Sequence, residues 1–482
     1  MFFAKFGPGI EALRFHMVPI GGIAMVPLAA LLKEAGHEVR GSDGPLFPPM
    51  STLIESLQIP VASGFSAEHV ATDCDCVIVG NAATRDNPEA AEAFRRGLPV
   101  LSMPQAVRQY LLPGKTSIVI TGTHGKTTTS ALLSWLLLDS GRDPGFLVGG
   151  EMRNLGRGYR RGTGRHFVLE GDEYNAAFFD RGPKFLHYEP KHLFVGNIEF
   201  DHADLYPDLP SVIEAFRSVV EIVPPDGRIV ANSDDERVRG LLSGAWAPVV
   251  RVSFEDPGAD FSAAGIEEHS AGTDFTLLEG GRPASRVKSP LSGAHNVRNA
   301  LGAIALARGA GVSVEEIAAS LPRFAGVRRR LEVKGEANGI LVVDDFAHHP
   351  TAVAGTLAAA RARWPGRRLW ALFEPRSNTA GRKIFEEDYA RAFSGADALV
   401  IGPVFHAKRL TPDAVMNRQG LTDRFTRAGK PALAPERLED IPDFVRREAR
   451  PGDILILMSS GAFGGLPGSL LDALTPLRAS ER

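Results

Sequence analysis

The rest of this 482-residue chain must accommodate one short segment. An apolar strand at 117–120 runs into Thr121-Gly122-Thr123-His124-Gly125-Lys126-Thr127-Thr128-Thr129, and an apolar helix pattern follows from about 128 to 138. Glycines in such a turn let successive backbone N–H groups point inward, and the helix amino terminus adds the positive end of its dipole. The product is a cradle for phosphate oxygens. Lys126 is placed to reach the terminal phosphates, and the Thr127 hydroxyl suits a magnesium ion. Gly122, Thr123, His124, Gly125, Lys126, Thr127 and Thr128 are therefore nucleotide-binding candidates. The loop departs from the general G-x-x-x-x-G-K-[ST] form, because Ile120 stands at the first glycine's place; it is the shorter G-x-x-G-K-T. A strand before and a helix after demand an α/β sheet around it. They establish nucleotide binding and leave the reaction open.

The chain is too long for a single core, and about three domains of ordinary size fit its length. Residues 15–19 read as a strand, followed by Gly21-Gly22, an apolar helix at 24–35 and a second strand ending at Val39, with Gly41-Ser42-Asp43 after it. Strand, glycine turn, helix, strand and terminal acid form a dinucleotide-type βαβ pattern, although G-x-G-x-x-G is incomplete and Pro19 stands in the turn. Further parallel strands are expected at 76–79 and 99–101, and Pro113-Gly114 marks a boundary. Beyond the phosphate loop, strands are expected at 167–169 and 193–195, and an alanine-rich helix at 293–310. The glycine- and arginine-rich stretch 326–330 marks a second boundary. The last segment has a strand at 340–343, a helix at 352–363, a strand at 369–373 and a strand–turn–helix at 454–474. Alternating strands and helices predict an α/β fold of three domains with mainly parallel sheets, at 1–113, 114–326 and 327–482.

Net charge is −3 at pH 7, which argues against a nucleic-acid or polyanion partner. Cys74 and Cys76 sit two apart in an apolar run, a spacing that suits buried, reduced thiols. The apolar amino terminus, residues 1–32, is interrupted by Glu11, Arg14 and His16 and broken by Pro19, Gly21, Gly22 and Pro27. It is too interrupted to span a membrane, so a cytoplasmic chain without a membrane partner is expected.

Glu170-Gly171-Asp172-Glu173-Tyr174 and Phe200-Asp201-His202-Ala203-Asp204 each follow a strand, where acids hold magnesium in sheets of this kind. One carboxylate, one imidazole and the Thr127 hydroxyl would give metal positions beside the γ-phosphate. Arg330, in Gly326-Val327-Arg328-Arg329-Arg330-Leu331-Glu332, could bring a cation from another domain to a transferring phosphate. In Asp344-Asp345-Phe346-Ala347-His348-His349-Pro350, adjacent histidines point apart, which favours nucleotide or substrate contact over a shared metal.

These motifs, with Gly293-Ala294-His295-Asn296-Val297-Arg298-Asn299-Ala300, occur in an order that resembles the Mur ligases of bacterial cell-wall synthesis. The resemblance covers nearly the whole chain, including the shortened loop. It implies three domains: a Rossmann-like UDP-binding one, a central P-loop ATPase and a Rossmann-like third that binds the amine substrate. It implies ATP and Mg2+ as cofactors, with Lys126 and Thr127 on the triphosphate and its magnesium, and Glu170 and His202 on a metal. His295 and Asn299 would hold the adenine, Arg330 the γ-phosphate, and Asp345 the ribose or metal. Gly21, Gly22, Ser42 and Asp43 would lie at the uridine nucleotide, and His348 would face the sugar. Lys126, His202, Arg330 and His348 are the candidates for catalysis.

Within the family, the stretches Pro48-Pro49-Met50-Ser51-Thr52, 170–180, Phe185-Leu186-His187-Tyr188 and Met458-Ser459-Ser460-Gly461-Ala462-Phe463-Gly464-Gly465 are most similar to one branch. That branch joins UDP-N-acetylmuramate to the murein tripeptide L-Ala-γ-D-Glu-meso-diaminopimelate in cell-wall recycling. The neighbouring branch adds free L-alanine instead. Some relatives carry a carbamylated lysine, but an ungapped count lands on Arg217, so no carbamate is expected. Arg376 could pair with a peptide carboxylate or be an ordinary surface arginine. A monomer or weak homo-oligomer is expected.

Overall fold

A computed structural model describes residues 12–475; the outermost parts of the expected first and third domains, and the beginning of the apolar amino terminus, lie outside the described residues. Strands Val61–Ser63, Glu38–Asp43, Arg14–Val18, Cys76–Val79 and Val100–Ser102 form a five-stranded parallel sheet in that order. The helix Met25–Glu34 is buried from Met25 to Leu32. It can be apolar all round because it is enclosed, packed in one core with Phe15, Met17, Ile78 and Val107. The second strand does not end at Val39 but continues through Gly41-Ser42 to Asp43. Gly41 lies within it, and a Cβ there would meet the Met17 carbonyl oxygen at 2.4 Å. It marks a close approach of two backbones. Cys74 and Cys76 are buried, free thiols, and burial pushes Cys76 up to about 12.

The central sheet has ten strands. Its middle is parallel: Val249–Ser253, Arg228–Asn232, His192–Val195, Thr116–Thr121, His166–Glu170 and Gly145–Met152 lie side by side. Alternate residues of the strand Thr116–Thr121 face opposite layers. Ile118 and Ile120 pack with Leu132, Leu136 and Ile304, from the helices Lys126–Asp139 and Ala294–Gly309. Val119 packs with Phe216 and Val220 of the helix Leu209–Glu221. Both ends of the sheet are antiparallel. Arg157–Arg160 folds back on Gly145–Met152, and Phe261–His269, Gly272–Glu279 and Arg282–Ser289 form a meander. The sequence reading named none of these end strands. Their buried residues, Phe275, Leu277, Leu278 and Val287, lie among polar and charged ones such as Asp274, Glu279, Arg286 and Lys288, and Glu279-Gly280-Gly281-Arg282 carries a hairpin signal.

The third sheet runs Glu332–Ala337, Ile340–Asp345, Ile454–Met458, Leu369–Phe373, Ala398–Ile401 and Ala432–Leu433, parallel except for its first strand. Its two middle strands are buried at every residue, as continuous apolar runs covered on both faces must be. Among the described residues, no helix is long and apolar enough to cross a membrane. Between the three sheets lies a cavity of about 1390 Å³, larger than the roughly 300–1,000 Å³ that one small ligand needs. It opens at the carboxyl ends of the central strands, where a switch of strand order leaves room for a ligand.

Candidate active site

The strand Thr116–Thr121 is wholly buried and delivers the glycine turn against the end of its neighbour. Thr123 N donates to Asn197 O and His124 N to Asn197 Oδ1, both at 2.9 Å. Gly125 has φ 82° and begins the helix; a Cβ there would lie 2.3 Å from Asn299 Oδ1. Only glycine fits both demands. No side chain caps the first turn of this helix, so its amino-terminal N–H groups are available to an anion.

Around this turn the charged groups are dense. Lys126 Nζ donates to Gly122 O at 2.8 Å and to Glu173 Oε2 at 3.0 Å. Thr127 Oγ1 donates at 3.1 Å to Glu170 Oε2, whose partner oxygen accepts from Ser130 Oγ at 3.1 Å and Gly149 N at 2.6 Å. His202 Nε2 lies 3.0 Å from Glu173 Oε1 and 3.6 Å from Asp201, with its ring 4.2 Å from that of Tyr174. Burial and the nearby Asp172 raise the Glu170 carboxyl above its ordinary range. For Glu173 burial acts upward too, but the Lys126 charge and the His202 hydrogen bond outweigh it and hold the carboxyl at about 2. Burial would lower Lys126 and His202, yet their acid neighbours raise both. Glu170, Asp172 and Asp201 line the cavity with Lys126, Lys184 and His202, and Glu173 completes the set. A buried carboxyl pushed upward beside a threonine hydroxyl is a hard-oxygen donor set short of positive charge. That fits a small divalent cation such as magnesium.

His295, Asn299, Arg330, Asp345 and His348 line the same cavity. His295 stands in the first turn of Ala294–Gly309. Burial, only partly offset by Asp345 and reinforced by Arg330, lowers it to about 4, so it is uncharged at neutral pH. Asn299 Nδ2 donates to Asn296 Oδ1 at 3.1 Å. Arg330 lies with its guanidinium 5.2 Å from the Phe346 ring centre. Asp345 turns its oxygens to its own lobe, accepting from Leu331 N and Ala347 N at 2.8 Å and from Thr356 Oγ1 at 3.1 Å. It thereby fixes the residue after Arg330. His348 Nδ1 is 3.0 Å from Phe346 O, and burial lowers its pKa. The adjacent His349 faces another way, toward Phe200 O at 3.3 Å.

Of the residues expected at a uridine nucleotide, Gly22 lines the cavity. Gly21 N donates at 2.6 Å to Asp43 Oδ2, and Gly44 N at 2.7 Å to its other oxygen. Ser42 is fully buried and its hydroxyl turns inward to Glu89, which also takes His16 Nε2 at 2.7 Å and His69 Nδ1 at 2.8 Å. Arg217 pairs with Glu214 at 3.2 Å on the helix Leu209–Glu221. Arg376 stacks 3.8 Å over the Phe405 ring and lies 3.5 Å from Glu374.

Three residues at the site had no role in the sequence reading. Glu173 joins Lys126 to His202; only its place inside the acid motif hinted at it. Glu199 Oε2 joins His124 Nε2, at 2.9 Å, to His349 Nδ1, at 3.4 Å, across two lobes that sequence spacing does not relate. Lys184 reaches Asp172 at 3.2 Å.

Comparison with known proteins agrees in extent with this arrangement. Residues 14–113 match the model described as Mur ligase family, catalytic domain; residues 120–307 match the Mur ligase middle domain; residues 329–461 match the Mur ligase, glutamate ligase domain. The UDP-N-acetylmuramate–L-alanyl-γ-D-glutamyl-meso-2,6-diaminoheptandioate ligase of Escherichia coli K12 is 38% identical over 96% of this chain and 98% of its own length. The UDP-N-acetylmuramate–L-alanine ligase of Desulfitobacterium hafniense Y51 is 34% identical over 93% and 97%. The crystal structure of a murein peptide ligase from Psychrobacter arcticus 273-4 is 34% identical, with a TM-score of 0.74 over 97% of this chain and all of that one. A UDP-N-acetylmuramate–alanine ligase from Thermotoga maritima shares the fold, with a TM-score of 0.79 at 24% identity over 95% and 98%.

Proposed function

This chain belongs to the Mur ligase family, and from that premise we propose that it joins UDP-N-acetylmuramate to the tripeptide L-Ala-γ-D-Glu-meso-diaminopimelate. It is an ATP-dependent, ADP-forming ligase, as members of the family are. The observation that supports the reading is one cavity lined both by the phosphate loop and by Gly22 of the first sheet's glycine turn. We assign 1–113 to the UDP-sugar, 114–326 to ATP and 327–482 to the peptide.

A carboxylate is a poor electrophile, and phosphorylation cures this. The lactyl carboxylate oxygen attacks the γ-phosphorus, the bond to the bridging oxygen breaks, and ADP leaves with the electron pair. The free amine of the peptide's alanine attacks the acyl carbon of the resulting acyl phosphate. The C–N bond forms, the C–O bond breaks, phosphate departs and the amine loses its proton. Lys126 and Arg330 spread the charge of the transferring phosphoryl. Gly122, Thr123, His124, Gly125 and Thr128 shape the phosphate cradle, and His295 and Asn299 receive the adenine. Asp345 acts by fixing the chain beside Arg330 and offers its remaining lone pairs to the ribose. Thr127, Glu170 and His202 would hold magnesium, which would supply positive charge to this acid-rich pocket. Gly21, Gly22 and Asp43 receive the uridine nucleotide, Ser42 supports them from below, and His348 faces the sugar.

Phosphate release with ATP, magnesium and UDP-N-acetylmuramate tests this. The tripeptide should drive turnover strongly and free L-alanine only weakly. Strong turnover with alanine alone would make the chain an alanine-adding ligase instead. Phosphate release without any UDP-sugar would make it a simple ATPase.

A further inference from the structure

Lys184 lines the cavity with one carboxylate as the charged partner of its ammonium group. It opens the short helix Lys184–His187, directly after the hairpin of Asn175–Ala177 and Asp180–Pro183. It is 8% exposed, yet it lines the cavity. Its backbone is tied to the acid motif: Lys184 N donates to Tyr174 O at 3.1 Å and Phe185 N to Asp172 O at 3.3 Å. Its Nζ is 3.2 Å from Asp172 Oδ2 and 5.5 Å from the Tyr174 ring centre. An ammonium carries three donors, and one carboxylate with one aromatic face uses only part of them. Lys126, by comparison, has a backbone carbonyl and both Glu173 oxygens.

Its place in the fold points to a further partner. Tyr174 lies near both Lys184 and His202, its ring centre 4.2 Å from that of His202. The hairpin that leads to Lys184 reaches the first sheet, where Ser102 Oγ donates to Asp180 Oδ2 at 2.9 Å and Phe178 packs beside Val100. Lys184 therefore stands between the phosphoryl-transfer centre and the lobe assigned to the UDP-sugar. A carboxylate must be brought there against the like charge of a triphosphate, and a cation on its far side offsets that repulsion. Resting on the ligase reading above, we propose that Lys184 binds the lactyl carboxylate of the UDP-sugar and holds it toward the outermost phosphoryl of ATP. Burial strengthens such a charge-assisted contact.

The test compares two ligands that differ by that carboxylate: UDP-N-acetylmuramate and UDP-N-acetylglucosamine, which lacks the lactyl ether. In Lys184→Met the Kd and KM for UDP-N-acetylmuramate should rise about tenfold or more, as loss of a hydrogen bond to a charged group implies. The Kd for UDP-N-acetylglucosamine and the KM for ATP should stay within about twofold, and Lys184→Arg should recover part of the loss. Retained binding of the glucosamine ligand also reports that the variant is folded; if Lys184→Met does not fold, Lys184→Gln reads the same constants. Equal weakening of both UDP-sugars, or a change confined to ATP or to the peptide, would overturn the assignment and leave Lys184 as a counter-ion of the acid motif. Wild-type turnover is measured alongside. Its absence would defeat the ligase reading itself, whereas normal wild-type turnover with an unaltered Lys184→Met would defeat this inference alone.

Discussion

The first and second sheets build the same unit, a buried strand, a glycine turn and an apolar helix, and use it in opposite ways. In the first, Gly21 N is already bound by Asp43, a carboxylate from the adjoining strand. In the second, Lys126, Glu170, Glu173 and His202 crowd the start of the helix; neither helix has a side-chain cap. An N–H group held by its own protein's carboxylate has no vacancy for a phosphate oxygen. A bare helix start beside a lysine does. On the ligase reading, similar local chain geometry is expected to meet the uridine nucleotide in one turn and the triphosphate in the other. The difference lies in which side chains close over the turn.

The contrast can be broken most forcefully at Lys126. Lys126→Ala should cut ADP release in the presence of both substrates on the order of 10³-fold or more, and near-normal turnover would remove the second turn from the reaction. Next comes Glu170→Gln, for which a loss of roughly 10²-fold and a higher magnesium requirement are expected; an unchanged magnesium titration would place the metal elsewhere. The first turn should answer on a different axis. Asp43→Asn is expected to raise the KM for the UDP-sugar about tenfold with the KM for ATP unaltered, and an effect on ATP would erase the distinction. The smallest effect is one of stability. Burial holds His295 and His349 at about 4, below their ordinary 6.5, so between these values the unfolded chain binds more protons than the folded one. Stability should therefore fall as pH drops from about 6.5 to about 4. His295→Asn should flatten that slope in urea melts across the range, and an equal slope would show that His295 is not held neutral.

The parts of this molecule legible from sequence are those whose cause is local. The phosphate loop, the helix Lys126–Asp139, the alanine-rich helix Ala294–Gly309 and the apolar strands of the third sheet are written in spacing and apolar runs. The meander from Phe261 to Ser289 was missed because its half-exposed strands mix charged with apolar residues. The end of the strand Glu38–Asp43 was misjudged because Gly41 answers to Met17 on another strand. The same distinction runs through the site. Lys126 and Thr127 announce themselves, whereas Glu199 between His124 and His349, and Asp345 behind Leu331, acquire meaning only when separate lobes meet. Ser42 was expected at a ligand, but its hydroxyl serves Glu89, a partner 47 positions away.

The central claim is that the carboxylate of one bound molecule attacks the phosphoryl of another across the shared cavity. Its most direct test uses UDP-N-acetylmuramate labelled with oxygen-18 in the lactyl carboxylate. Mass analysis of the phosphate released during a complete turnover with ATP and tripeptide should find one labelled oxygen per phosphate, transferred when the acyl–oxygen bond breaks. Unlabelled phosphate, formed while the amide product accumulates, would contradict the account.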